Sequence, residues 1–125
     1  MAATITKNEE TVHSVNKVKW QLTADSAGAV ASTTTNAQTS NAFDGVLQAL
    51  VTVGGSGGSA PSASWDLWIY DGSSVDVTLG AGASRAAATE LTKWASLGAV
   101  AGDRLTIKAS GMGASNKADV YLYIR

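Results

Sequence analysis

The feature that most constrains this chain is a hydrophobic period of two residues, clearest at its C-terminus. Ala118, Val120, Leu122 and Ile124 alternate there with Asp119, Tyr121, Tyr123 and Arg125. Successive side chains of a β-strand point to opposite faces, so this spacing predicts a strand with one apolar face; a helix would repeat every three to four residues. The same alternation sets Val18, Trp20 and Leu22 among Lys17, Lys19, Gln21 and Thr23. It also sets Trp65, Leu67 and Ile69 among Asp66, Trp68 and Tyr70, and places Leu105 and Ile107 within Asp103 to Ala109. Val46 to Val53, entered through Phe43-Asp44-Gly45, carries apolar residues on both faces, which predicts a central strand.

Turn chemistry separates these runs. Asp25-Ser26-Ala27-Gly28 and Asp71-Gly72 read as tight turns, with a weak returning strand over Ala29 to Thr35 and another through Val75, Val77 and Leu79. Gly54 to Ser62, rich in glycine and serine, reads as a pliable connection between strands. Ser84 to Leu97 is the only stretch with helical potential. The pattern predicts an all-β fold, an antiparallel β-sandwich or jelly-roll-like barrel of about seven to eight short strands with at most one short helix. Trp20, Leu22, Leu50, Trp65, Leu67, Ile69, Leu105, Ile107, Val120, Leu122 and Ile124 form the expected core.

Residues 12–125 are expected to make a single β-sandwich domain, preceded by an N-terminal arm over residues 1–11. The arm is polar and without clear period. Ile5 and Val12 flank Thr6 to Thr11, a stretch that extends across about 20 Å at about 3.3 Å per residue. That reach predicts an arm leaving its own domain for a neighbouring protein, so that its deletion would spare the fold.

Composition removes most catalytic chemistry. Of 125 residues, 22 are Ala, 13 Gly, 14 Ser and 13 Thr, and the formal net charge is −1. That balance gives no electrostatic case for nucleic acid or an anionic membrane. With no cysteine and one histidine, His13, thiolate nucleophiles and multi-histidine metal sites are out of reach. The first residues lack the basic and apolar regions of a signal peptide, and the run Val46 to Val53 is far shorter than the about 20 residues a membrane helix needs. Gly80-Ala81-Gly82-Ala83-Ser84-Arg85 lacks the third glycine of a dinucleotide fingerprint. The aspartates sit mostly beside turns, where their side chains bond nearby backbone N–H groups, and no G-x-S-x-G elbow occurs. The chain is therefore expected to be no enzyme, with no catalytic, metal or cofactor residues and no cofactor.

The aromatic residues carry more information. Trp68 and Tyr70 lie opposite the Trp65, Leu67 and Ile69 face, and Tyr121 and Tyr123 lie opposite Val120, Leu122 and Ile124. Large rings on a nominally wet face need a cover from the same chain, another subunit or a stacked sugar. Trp68, Tyr70, Tyr121 and Tyr123, with Ile5 and Val12 of the arm, are the expected interface residues.

The sequence resembles a family of small virion structural proteins of tailed bacteriophages. The resemblance runs from about Val18 to the C-terminus. It rests on Trp20 with Thr23-Ala24-Asp25-Ser26-Ala27-Gly28-Ala29, on Phe43-Asp44-Gly45 and on Gly57-Gly58-Ser59-Ala60-Pro61. It continues through Asp66, Asp71-Gly72-Ser73-Ser74-Val75-Asp76-Val77, Gly80-Ala81-Gly82-Ala83-Ser84-Arg85 and Val120-Tyr121-Leu122-Tyr123-Ile124-Arg125. Trp68-Ile69-Tyr70 and Ala86-Ala87-Ala88 depart from it, where the family is more polar. The resemblance implies a capsid decoration, or cement, protein: made in the host cytoplasm, located on the capsid exterior of the virion, homotrimeric and bridging copies of the major capsid protein. A tail, neck or baseplate component, and a carbohydrate-binding module using the surface aromatics, are the alternatives.

Overall fold

The computed structural model describes residues 1–55 and 58–125. These form eight strands: β1 (Thr4–Val12), β2 (Val15–Thr23), β3 (Phe43–Gly54), β4 (Asp66–Tyr70), β5 (Glu90–Lys93), β6 (Ala99–Asp103), β7 (Thr106–Ser110) and β8 (Lys117–Ile124). A single 3-10 turn, Trp94–Ser96, joins β5 to β6. Every strand pairing is antiparallel. One sheet has six strands in the order β1-β2-β8-β3-β5, with β6 also on β3; the other is the pair β4-β7.

The alternations seen in the sequence decide which faces meet. Val18, Trp20 and Leu22 of β2 lie beside Leu122, Val120 and Ala118 of β8 in register, and Leu50 of β3 faces Leu122 from the other side. All are buried, together with Leu67 and Ile69 of β4 and Ile107 and Ala109 of β7, so the two sheets share one core cluster. Every residue expected in the core is buried. β3 is central, as its two apolar faces require: it pairs with β8 on one side and with β5 and β6 on the other.

Turns follow their side chains. Asp25 Oδ1 accepts the N–H groups of Ala27 and Ala29 at 2.8 and 3.0 Å, closing the first turn, where Gly28 takes a φ of +80°. Asp71 Oδ1 accepts from Ser73 and Val75 at 2.8 and 3.0 Å in the same way. The returning strand expected after it is cut short. Tyr70 bridges Asp76, but the Asp76 carboxylate takes the N–H groups of Thr78 and Gly80 and turns the chain away. The weak strand over Ala29 to Thr35 contributes one bridge, Val30 to Ala109. Within the glycine-rich connection, Ser56 and Gly57 lie outside the described residues; around them, Gly55 N–H donates to Lys117 O and Lys117 N–H to Ser59 O, so the flanks follow β8.

The expectation of a free arm is overturned. Residues 1–11 do not form an arm leaving the domain: Thr4–Val12 is a strand in unbroken register with β2, closed by a two-residue turn at His13 and Ser14. The segment has few apolar residues because only Ile5 enters the core; the inward Lys7 and Glu9 bond a loop instead of packing. The helical potential of Ser84 to Leu97 is realised only as the 3-10 turn Trp94–Ser96, in keeping with at most one short helix. The free edge of β3 recruits Glu90–Lys93 as β5, and cross-strand pairing outweighs the modest helix propensity of a short alanine-rich run.

Candidate interaction surface

Of the residues that turn away from the core on the six-stranded sheet, a short row of Thr6, Gln21, Asp119 and Val53 stops at β3, and two rows cross from β1 to β5. Directly paired residues share a face, so register alone defines them. One row reads Glu10, Lys17, Tyr123, Ala49, Lys93 across β1, β2, β8, β3 and β5. The other reads Asn8, Lys19, Tyr121, Val51, Leu91. Leu91 is 59% exposed, and the neighbouring Trp94 is 62% exposed. A broad aromatic and aliphatic centre thus lies on the open side of the sheet, with lysines on both flanks.

The tyrosine rings are half-buried, and lysines help to cover them. Lys17 Nζ sits 5.2 Å from the centroid of Tyr121 and 5.9 Å from that of Tyr123, and Lys19 Nζ 5.3 Å from Tyr121. A cation over a ring face is attracted by the ring quadrupole, which holds the ammonium groups in place. Lys17 also pairs with Glu10 at 3.8 Å across exposed surface. Asp119, in the same strand as the tyrosines, is nearly buried.

Trp68 and Tyr70 project from the other sheet. They alternate with the buried Leu67 and Ile69 on β4, opposite Lys108 and Thr106 of β7. Lys108 Nζ lies 5.1 Å from the Trp68 ring. A shallow polar cleft lined by Ser32, Tyr70, Asp71, Ser74, Thr106 and Lys108 opens beside them. The four expected interface aromatics therefore fall into two separate pairs, one on each sheet. Of the two arm residues, Val12 is exposed at the hairpin tip, but Ile5 is in the core opposite Leu22 and offers no surface.

The inner face of β1 is a polar clamp. Lys7 Nζ donates to Gln38 O and to Ser40 Oγ, both at 2.9 Å, and pairs with Glu9 at 3.1 Å. Glu9 accepts from the N–H groups of Ser40 and Asn41 at 2.8 and 3.0 Å, and Asn36 Nδ2 donates to Ile5 O. Burial pushes the Glu9 carboxyl up, but the hydrogen bonds from Ser40, Asn41 and Lys7 outweigh it and hold the group below the ordinary carboxylate value. Inward charges on an edge strand also guard that edge against adding a further strand.

No local pattern along the chain singles out Lys17, Lys19, Leu91 or Trp94. The lysines were legible only as the wet face of a strand, and Leu91 and Trp94 lay in the stretch with helical potential. The signal available was the β3 register, which requires a neighbour on each side. Among the described residues, no group of three or more His, Asp or Glu side chains is placed to hold a metal ion. No family model, curated protein or solved structure matches the chain.

Proposed function

We propose that this chain is a non-enzymatic structural protein of a tailed-bacteriophage particle, folded as a β-sandwich and carried on the capsid exterior as a decoration protein. The observation that carries the reading is the open outer face of the six-stranded sheet, where Tyr121, Tyr123, Val51 and Leu91 lie side by side across three strands. A cement works by adding contacts across seams between capsomers, which calls for a rigid domain with an adhesive face and no reacting group. Trp68 and Tyr70 give a second, separate contact region on the other sheet. Two such regions suit a protomer that meets the major capsid protein through one and its own kind through the other, in a symmetric trimer whose weak contacts add to tight attachment. The resemblance on the turn and packing residues supports the same class.

A sugar-binding role for these aromatics is disfavoured by their lysines. Ammonium groups stand 5.1 to 5.9 Å from the centroids of Trp68, Tyr121 and Tyr123, over the faces a pyranose would stack on.

Quantitative mass spectrometry of purified particles tests the proposal. Copy numbers on the scale of the major capsid protein are expected. A handful of copies would assign the chain to tail, neck or baseplate, and absence from particles would overturn a virion role.

A further inference from the structure

We infer that the outer face of the six-stranded sheet docks on an acidic protein surface, one that presents carboxylates around an apolar patch. The decoration reading supplies the place where such a partner would be met; the chemistry of the partner follows from the face itself.

The two rows that cross the sheet carry Lys17, Lys19 and Lys93 against one acid, Glu10, and the shorter row beside them adds only the nearly buried Asp119. This positive balance stands out on a chain whose net charge is −1. The lysines occupy the flanks, on β2 and β5, while the centre on β8 and β3 is Tyr121, Tyr123, Ala49 and Val51. An apolar centre with a charged margin is the common anatomy of a protein interface, and its margin sets sign, register and association rate. Lys17 and Lys19 are moreover held against the tyrosine rings, so less side-chain freedom is lost when a carboxylate meets them.

Competing occupants fit less well. A second copy of this face would bring lysine flanks against lysine flanks, a like-charge arrangement that penalises association. Single-stranded nucleic acid would need bare ring faces for its bases, and the lysines stand over those of Tyr121 and Tyr123.

The test titrates isotopically labelled protein with poly-L-glutamate and, separately, with a thymidine oligonucleotide, following backbone amide shifts at low salt. Shifts with poly-L-glutamate are expected to cluster on β2, β8 and β5 and to fade as salt rises. The double variant Lys17→Glu/Lys19→Glu should bind poly-L-glutamate about tenfold more weakly or worse, while Lys108→Glu on the other sheet should bind as the parent does. Lys17→Gln/Lys19→Gln, checked by thermal melting, repeats the comparison should the charge reversal disturb folding. Shifts that fall elsewhere, an absence of saturable binding, or tighter binding of the oligonucleotide to this face would overturn the inference. Particle occupancy is scored separately: a protein absent from particles whose outer face still binds poly-L-glutamate would remove the decoration reading and leave this inference standing.

Discussion

Arg85 Nε donates to Thr52 Oγ1 at 2.9 Å, in the interior of the protein. The guanidinium is fully buried, and each of its nitrogens is engaged: Nη1 with Thr92 Oγ1 at 2.6 Å and Ala81 O at 3.3 Å, Nη2 with Glu90 O at 2.9 Å. Glu90 adds an ion pair at 3.3 Å and accepts the Ala86 N–H with its other carboxylate oxygen. Burial lowers the Arg85 pKa and Glu90 opposes that fall, so the cation is retained by partners rather than by solvent. Its backbone N–H donates to Trp65 O at 2.6 Å, which leads the chain from the edge of β4 across to β3 and β5. One side chain thus ties the connection between the sheets to the six-stranded sheet.

Removing it should be among the most damaging single changes. Arg85→Ala leaves Thr52, Thr92 and the Glu90 carbonyl without their donor, and breaking a buried charged network of this kind costs about 3–5 kcal/mol. Urea denaturation of the variant beside the parent measures the loss. A cost under about 1 kcal/mol would mean that water replaces the guanidinium at little expense.

Deleting residues 2–11 should now lower the melting temperature markedly, in contrast to what an unattached arm would do. The deletion removes a full strand, the buried Ile5 and the clamp on Ser40 and Asn41, and it lays bare the edge of β2. Thermal melting decides it, and an unshifted midpoint would show β1 to be energetically dispensable.

Glu9 should make the clamp acid-sensitive. Its carboxyl titrates below the ordinary value of 4.5 in the folded protein, so the unfolded chain binds a proton first as pH falls. The contribution is complete above about that ordinary value and is lost as pH falls through the lower folded value. Glu9→Gln should therefore be less stable than the parent at neutral pH, with the gap narrowing in acid. Denaturation midpoints followed from about pH 7 to about pH 3 read the difference directly. A gap independent of pH would assign the effect to packing.

Gly82→Ala should destabilise through a backbone clash. A methyl group there would overlap the Leu67 carbonyl oxygen, beside the bond from Leu67 N–H to Gly82 O at 2.9 Å. Forced overpacking of this kind costs about 1–3 kcal/mol, and calorimetry of the variant would register it. Gly80→Ala meets no atom within 4 Å and differs in kind: its cost is conformational, from a φ of +84°.

Core positions should respond as their burial requires. Leu122→Ala, at a site with no exposed surface between Leu50 and Val18, should lose about 2–5 kcal/mol from transfer and cavity terms. A loss below about 1 kcal/mol in denaturant titration would place Leu122 on the wrong face of β8.

Strand identity and facing were legible along the chain because they depend on neighbours two residues apart. The alternation at Val120, Leu122 and Ile124 assigns the inner face of β8 without any knowledge of its partners. The turns at Asp25 and Asp71 were likewise local, since each carboxylate bonds backbone groups within four residues. Pairing depends on residues far apart. Nothing near Glu90 states that β3 has a free edge for it, and nothing near Lys7 and Glu9 states that residues 38–41 will lie within reach. A polar strand and a loose arm have the same local composition; a partner about thirty residues away along the chain separates them, through hydrogen bonds that exist only once the sheet is assembled. The outer face has the same origin. The sequence determines that Tyr121 and Tyr123 turn from the core, but only the register of β2, β8, β3 and β5 sets Lys17, Lys19, Val51 and Leu91 beside them, because neighbours on a sheet are chosen by hydrogen-bonded pairing and not by position in the chain.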